Sequence, residues 1–143
     1  MQEVKRKIQL CVIAKNQGKP MALLLKTNLK RGSFWQNITG GVDEGEKYAQ
    51  AALREFTEET HQEVSKNFPH EFISLEMKFK FKKKNKQIKE KVFALICQDI
   101  FEVKIDPKEH DDYKWVELKK IKRSHLEFKS NYTPLKICRN ILV

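Results

Sequence analysis

The stretch from Gly40 to Gln62, GGVDEGEKYAQAALREFTEETHQ, constrains the fold of this chain more than any other segment. From about Glu46 to Thr60 its composition favours a helix, and no Gly or Pro interrupts it. At roughly 100° per residue, three carboxylates share one arc of this helix, and four apolar side chains share the neighbouring arc. The carboxylates are Glu55, Glu58 and Glu59, and the apolar residues are Ala49, Ala52, Leu53 and Phe56. The segment therefore predicts a helix that packs one side into a core and holds three acidic groups beside it.

Three carboxylates this close together repel one another, and unpaired like charges destabilise a helix. Either their pKa values rise or a bound cation neutralises them. Because the ligand atoms are oxygens, the favoured cation is a hard one, Mg²⁺, with Mn²⁺ as a substitute. Arg54 lies about 100° round the helix from Glu55 and next to Glu58, so it can pair with a carboxylate. A pyrophosphate bound to such a cation would be open to attack by a water whose pKa the cation lowers.

The spacing of these residues resembles the Nudix box. That family pattern is Gly, any five residues, Glu, any seven, Arg-Glu, an apolar residue, any one, Glu-Glu, any one, Gly, and an apolar residue. The matching residues are Gly40, Glu46, Arg54, Glu55, Glu58 and Glu59. His61 and Gln62 depart from the pattern. The family's Gly ends the helix in a left-handed conformation, which His can adopt at some cost, so we expect the departure to affect the following loop rather than a metal site.

The resemblance implies a hydrolase that acts on nucleoside diphosphates linked to another group. It implies that the metal ligands are Glu55, Glu58 and Glu59, with one of them as a candidate base. Glu46 would assist through Arg54 or through a metal-bound water. The carbonyl of Gly40 would face the metal, which would account for a residue without a side chain at that position.

Two segments outside the box resemble the dihydroneopterin triphosphate and dATP pyrophosphohydrolase branch of the family. One is Phe34–Thr39 (FWQNIT), and the other is Glu109–Val116 (EHDDYKWV). The resemblance implies that Glu109 supplies a further metal ligand from a loop; the alternative, which is less favoured, is an ordinary loop carboxylate. Residues 26–28 are Lys, Thr and Asn, whereas the branch carries Arg residues there. The resemblance therefore does not specify the substrate.

The same resemblance implies contacts to the substrate from Lys5, Thr39 and Ser130. Lys5 would bind a substrate phosphate, and Ser130 belongs to a polar triplet that the branch places near its substrate. Trp35 and Trp115 are interpreted as packing residues rather than as substrate contacts. No functional role is assigned to His110, since metal-assisted hydrolysis does not require a catalytic His.

The chain of 143 residues fits one domain, residues 1–143. Strands are predicted at Ile8–Lys15, Pro20–Lys26, 71–84, 87–98 and Trp115–Glu117, with an Asn-Gln-Gly turn between the first two. Helical stretches besides the box helix are predicted near Leu118–Arg123 and Pro134–Leu142. Periodicity alone supports an α/β or α+β class. The resemblance implies the Nudix fold, a mixed β-sheet sandwiched between α-helices (α/β/α).

Composition excludes several other classes of protein. No apolar run approaches the roughly 18 residues that a membrane span needs, and the N-terminus lacks a signal-peptide pattern. Cys11, Cys97 and Cys138 are odd in number and set among apolar neighbours, which predicts reduced core residues rather than a disulfide or zinc framework. A cytoplasmic protein without membrane contact is therefore expected.

The formal net charge of +10 favours anionic partners rich in phosphate. The densest basic run, residues 78–91, alternates Lys with Phe at its start, which fits a half-buried hairpin with one charged face. Such a face could contact RNA or could simply be solvated.

The leading interpretation is a Mg²⁺-dependent pyrophosphohydrolase of nucleoside triphosphates, such as dATP or a dihydroneopterin triphosphate-like substrate. Water would attack one phosphorus and release a monophosphate and pyrophosphate. Alternatives are an RNA 5′-end pyrophosphohydrolase and a nucleotide-sugar or ADP-ribose pyrophosphatase. A non-catalytic module that binds nucleotide or RNA is disfavoured, because all the carboxylates of the box are present.

Overall fold

The structure, a computed structural model, describes residues 3–64 and 70–142. Its strands are β1 (Glu3–Asn16), β2 (Lys19–Thr27), β3 (Trp35–Gln36), β4 (Ile38–Gly41), β5 (His70–Lys83), β6 (Lys86–Cys97) and β7 (His110–Glu117). Its helices are α1 (Tyr48–Thr60) and α2 (Lys129–Leu142), with single 3-10 turns at Leu29–Arg31, Leu118–Lys120 and Arg123–His125. The strands form one sheet of order β3-β2-β1-β6-β5, to which β4 adds by pairing with β1 and β7 by pairing with β2.

The sheet is mixed and carries one helix on each face. β1 runs parallel to β6, whereas its pairs with β2 and β4 are antiparallel. Alternate side chains of β1 point to opposite faces. Ile8 and Leu10 belong to the core cluster that contains Phe56 of α1, whereas Cys11 belongs to the cluster that contains Leu135 of α2. The expected α/β/α sandwich is confirmed, and its faces are called here the α1 face and the α2 face.

Two predicted hairpins are confirmed. Gln17 and Gly18 have φ of 51° and 80°, and this pair of positive values matches the twist of the strands that the turn joins, β1 and β2. The second hairpin pairs β5 with β6 from His70 opposite Cys97 to Lys83 opposite Lys86, with an irregularity after Ser74. The predicted short strand at Trp115–Glu117 begins earlier, at His110, because it pairs with β2 along its whole length.

The helical stretch predicted at Leu118–Arg123 is wrong. This region forms two 3-10 turns, and Ile121 between them is extended, with φ −67° and ψ 130°. Leu118, Ile121 and Leu126 are all buried in the core of the α2 face. Leu118 lies in the first turn, whereas Ile121 and Leu126 lie in extended backbone directly after the first and the second turn. Burial of these three residues therefore goes with an interrupted chain path rather than a continuous helix.

α2 begins at Lys129, before the predicted start at Pro134. Pro134 has no N–H, so the carbonyl of Ser130 lacks its usual helical donor. The side chain of Gln9 supplies the missing donor, because its Nε2 lies 3.0 Å from the Ser130 oxygen. A contact from the sheet therefore permits Pro134 to lie inside the helix.

The three cysteines are free and buried, as predicted. Among the helices of residues 3–64 and 70–142, none is long and apolar enough to cross a bilayer.

Candidate active site

Helix α1 packs against β4 so closely that the carboxyl group of Glu55 lies over Gly40. A Cβ atom at Gly40 would lie 2.1 Å from Cδ of Glu55, whereas a Cβ atom at Gly41 would meet no atom within 4 Å. Glycine at position 40 therefore leaves room for the Glu55 side chain in this position, which a larger residue would displace. The packing of Glu55 is thus a reason for glycine at position 40 that does not depend on a metal. It is separate from the contact between the Gly40 carbonyl and the metal that the family resemblance implies.

Arg54 connects the acidic residues of the box. Its Nε and Nη2 donate to the two carboxylate oxygens of Glu46 at 2.8 and 2.9 Å. Its Nη1 lies 2.9 Å from Glu55 Oε1 and 3.2 Å from Glu58 Oε2. Nη2 also donates to the carbonyl of Gly41 at 2.7 Å, which ties the helix to the end of β4. One guanidinium group thus orients three carboxylates and one backbone oxygen.

Electrostatics separate the roles of Glu46 and Glu55. Hydrogen bonds from Arg54, and then from the N–H of Asp43, lower the pKa of Glu46 to about 2. Glu46 is therefore an ionised partner of Arg54 at any ordinary pH. Burial raises the pKa of Glu55 despite its bond to Arg54, and repulsion from Glu58 adds to the rise. Glu55 consequently binds a proton more readily than an ordinary carboxylate does.

Glu59 is the most deeply buried carboxylate of α1, with a relative exposure of 3%. Its Oε2 has no hydrogen-bond partner within the part of the chain that the structure describes. Burial, reinforced by repulsion from Glu55 and Glu109, raises its pKa well above the usual value. A buried and unsatisfied carboxylate oxygen is costly, and a cation is the partner that would satisfy it.

Ligand atoms of Glu59, Glu109 and His110 all lie within 4.8 Å of one another. His110 is fully buried, and among the described residues neither of its ring nitrogens has a hydrogen-bond partner. Burial, followed by the charge of Arg31, lowers the pKa of His110 to about 4. The imidazole is therefore neutral near pH 7, the form in which histidine binds metals.

His110 and Arg31 are site residues that sequence reasoning missed. Arg31 Nη1 lies 3.6 Å from Glu109 Oε1, so the positive guanidinium group of Arg31 lies at the edge of the carboxylate cluster. Asn28 holds this loop in place: its N–H donates to the Glu109 carbonyl at 3.0 Å and its side chain to the Lys108 carbonyl at 2.8 Å. A signal for His110 existed in the Glu-His pair, but no local pattern indicated that residues 28–33 contact residues 107–109.

The predicted substrate contacts lie on the other side of the sheet from Glu55. Thr39 pairs with Gln9, and directly paired residues share a face. Gln9 faces α2, where it binds the Ser130 carbonyl. Lys5 lies on the same face of β1, about 14 Å from Gln9 along the strand, and is exposed. Thr39 and Ser130 thus lie close to Gln9, and the structure does not bring Lys5 together with them or with the carboxylates.

The departures from the box pattern at the end of α1 are structural. His61 adopts the expected left-handed conformation, with φ 62° and ψ 24°. Its Nδ1 lies 2.6 Å from the carbonyl of Lys104, and Nε2 of Gln62 donates to the carbonyl of Glu102 at 3.1 Å. Both residues therefore fasten the end of α1 to the segment that leads towards Glu109.

A family model described as the NUDIX domain matches residues 4–135. Among curated proteins, an octanoyltransferase of Myxococcus xanthus is 29% identical over 117 residues, which are 79% of this chain but only 31% of that protein. An RNA pyrophosphohydrolase of Pelagibacter ubique is 29% identical over 109 residues, 68% of each chain.

Solved structures show the same fold. An Ap4A hydrolase of C. elegans in a binary complex has a TM-score of 0.77 at 24% identity, covering 96% of this chain and 97% of its own. The E. coli dihydroneopterin triphosphate pyrophosphohydrolase has a TM-score of 0.76 at 23% identity, covering 94% and 96% respectively. At this level of identity the likeness establishes the architecture alone.

Proposed function

This chain belongs to the Nudix hydrolase family, and on that premise we propose that it is a divalent-cation-dependent pyrophosphohydrolase of nucleoside triphosphates. Water attacks one phosphorus and breaks the bond to the bridging oxygen, so that a monophosphate and pyrophosphate are released. The observation that carries this proposal is the convergence of Glu59, Glu109 and His110 around an unsatisfied carboxylate oxygen. The arginine-bound carboxylates of the box extend this cluster along α1.

The residues fit a divalent cation. Carboxylate oxygens suit a hard cation such as Mg²⁺, and the neutral imidazole of His110 adds a ligand that also suits Mn²⁺. The residues that would hold it are Glu55, Glu58, Glu59 and Glu109, with His110 and, by family resemblance, the carbonyl of Gly40. When bound, the cation neutralises phosphate charge and lowers the pKa of the attacking water.

The protein's own groups have separate tasks in this proposal. Arg54 orients Glu55 and Glu58, and Glu46 in turn fixes Arg54. By family resemblance, one of the ligand carboxylates Glu55, Glu58 and Glu59 acts as the base that takes the proton of the attacking water. Arg31, at the edge of the cluster, is positioned to bind a phosphate oxygen of the substrate. Lys5, Thr39 and Ser130 remain predicted substrate contacts.

A nucleotide panel tests the reaction. The protein is incubated with dATP, other nucleoside triphosphates, ADP-ribose and a nucleotide sugar, with Mg²⁺, with Mn²⁺ or with EDTA, and the products are identified by liquid chromatography. We expect a nucleoside monophosphate and pyrophosphate from at least one triphosphate, and no turnover in EDTA. Release of inorganic phosphate with a diphosphate product, or turnover without a divalent cation, would contradict the proposal.

An RNA 5′-end pyrophosphohydrolase is the second candidate. The similarity to the Pelagibacter ubique RNA pyrophosphohydrolase, which extends over 68% of both chains, favours it. Triphosphorylated RNA therefore belongs in the same panel. The products would be pyrophosphate and an RNA with a 5′-monophosphate, so the chemistry at the carboxylates is the same in both cases.

A further inference from the structure

Five lysines share one face of the hairpin formed by β5 and β6. The register places Lys78 opposite Lys91 and Lys80 opposite Lys89, and residues directly opposite each other in an antiparallel pair point to the same face. Lys82, opposite Gln87, continues this face. We call Lys78, Lys80, Lys82, Lys89 and Lys91 the lysine strip. The residues between them include Phe79, which packs into the core of the α2 face.

The lysine strip lies on the α1 face, the same face as the box carboxylates. Nζ of Lys91 is 4.4 Å from the centre of the Tyr48 ring in the first turn of α1. Ile8 pairs with Lys91 on one side and with Gly40 on the other. Two strand spacings therefore separate Lys91 from Gly40, about 10 Å. Since Glu55 lies over Gly40, the strip begins about that far from the carboxylates.

The charge of the strip is uncompensated. Four of its lysines are exposed and Lys91 is half-buried. None of the five forms a salt bridge with any described residue. Between residues 77 and 92 the one acid in the sequence is Glu90, which faces the α2 side and accepts a hydrogen bond from Gln9 at 2.9 Å. Repulsion among the lysines therefore favours binding of an extended anion.

The strip is also concave beside α1. A cavity of about 300 Å³ is lined by Tyr48, by Phe79 and Glu90, and by four of the strip's lysines, Lys78, Lys80, Lys89 and Lys91. Arg6 lies 5.4 Å from the centre of the same tyrosine ring, and it donates to the carbonyl of Glu46 at 3.0 Å. Cations and one aromatic ring thus connect the hairpin with the loop of the box.

We propose that the lysine strip binds the single-stranded polynucleotide of a substrate whose 5′-phosphates enter the carboxylate cluster. The proposal rests on the proposed function, because it assigns a substrate class to that site. Lysines on one face of a strand repeat about every 6.8 Å, with a second row about 4.8 Å away, which suits an anion with regularly repeated charges. A free nucleotide ends before it reaches this array, whereas a polynucleotide continues into it.

Binding without catalysis tests the strip directly. A fluorescent 12-nucleotide single-stranded RNA is titrated in EDTA with the intact protein, with Lys78→Gln/Lys80→Gln/Lys89→Gln, and with the control Lys119→Gln/Lys122→Gln/Lys136→Gln. The control removes the same charge from three exposed lysines at or near α2. Of these, Lys119 lies just beyond the C-terminal end of β7, and that end is about 24 Å from His110 at the start of the strand. We expect the strip variant to bind about 10-fold more weakly, and its slope of log K against log salt to fall by about 2. The control should keep the affinity and slope of the intact protein.

Equal losses in the two triple variants, or a greater loss in the control, would overturn the strip as the binding surface. Polyglutamate as a competitor checks for another class of partner: if it displaces RNA at equal charge and with the same dependence on the strip, the surface binds acidic protein instead.

With catalysis present, the ratio of kcat/KM for triphosphorylated RNA to that for dATP should fall about 10-fold in the strip variant. If no triphosphate is hydrolysed at all, the proposed function fails, but the binding result in EDTA still decides the role of the strip.

Discussion

Arg54 is the residue on which the arrangement of the box carboxylates depends. Two nitrogens of its planar guanidinium group donate hydrogen bonds to Glu46, and the group also donates to Glu55, Glu58 and the carbonyl of Gly41. A lysine keeps the charge, but its single ammonium cannot make this set of contacts. The geometry of the guanidinium, rather than its charge alone, therefore holds the carboxylates in place.

We predict that Arg54→Lys lowers kcat/KM about 10- to 100-fold and raises the Mg²⁺ concentration needed for half-maximal activity. The reason is that Glu55 and Glu58 lose the donor that orients them. Steady-state kinetics across a Mg²⁺ titration measure both effects. Arg123→Lys is the matched control, because Arg123 also binds oxygen atoms, the carbonyls of Leu126 and Glu127, away from the site. Unchanged Mg²⁺ dependence in Arg54→Lys would contradict the orienting role.

Glu59 makes the metal-free protein depend on pH in a defined direction. Burial raises its pKa above the ordinary value of 4.5, so the folded state holds the proton more tightly than the unfolded state does. Its contribution to the free energy of unfolding is present below pH 4.5 and is lost as the pH rises through the raised pKa. At pH 7.5 without metal, Glu59→Gln should therefore be the more stable protein, by about 1 kcal/mol or about 3 °C in Tm.

Addition of Mg²⁺ should make the intact protein more stable than Glu59→Gln at pH 7.5, the reverse of the order without metal. The ion binds the deprotonated carboxylate, so it should raise the Tm of the intact protein at pH 7.5, raise it less at pH 5, and leave Glu59→Gln nearly unchanged. Glu63→Gln removes the same charge from an exposed position and should respond to Mg²⁺ as the intact protein does. Differential scanning calorimetry checks these shifts, and an equal Mg²⁺ response in Glu59→Gln would exclude Glu59 as a ligand.

The contact between β4 and α1 positions the site at the level of elements. Gly40→Ala would place a methyl group 2.1 Å from Cδ of Glu55, so that carboxyl group has to move by more than 1 Å. We predict a loss of about 100-fold in kcat/KM, since a shift of this size at a catalytic group is that costly. Gly41→Ala adds its methyl group to open space and should stay close to the intact protein. Similar kcat/KM values for Gly40→Ala and Gly41→Ala would show that catalysis does not require the packing of Glu55 over β4.

Elements also show where sequence reasoning succeeds and where it stops. Helical periodicity fixes the angles between Glu55, Glu58 and Glu59, so their common arc was predictable. Their unequal burial was not, because it depends on how α1 packs: the Glu58 side chain is 55% exposed, whereas Glu59 is buried. The helix predicted at Leu118–Arg123 failed for a related reason, since tertiary burial of its apolar residues determined the local conformation.

Long-range pairing decides the remaining features of the whole molecule. The alternation of Lys and Phe predicted one charged face on the hairpin, but only the parallel pairing of β6 with β1 places that face on the side of α1. His110 joins Glu59 because β7 pairs with β2 as far as Thr27, a register that no local motif specifies. The box could therefore be read from the sequence, whereas the surroundings that complete it could not.

The central claim is that the carboxylates of α1 carry a metal-dependent cleavage of a phosphoanhydride. Glu58 tests it most directly, because its side chain is exposed and Glu58→Gln should not disturb the core. The measurement is Mg²⁺-dependent kcat for the best triphosphate of the panel, in the intact protein, in Glu58→Gln and in the charge-matched Glu63→Gln, with circular dichroism to confirm folding. We predict a loss of about 100-fold or more in folded Glu58→Gln and almost none in Glu63→Gln. Full activity in Glu58→Gln would contradict the account.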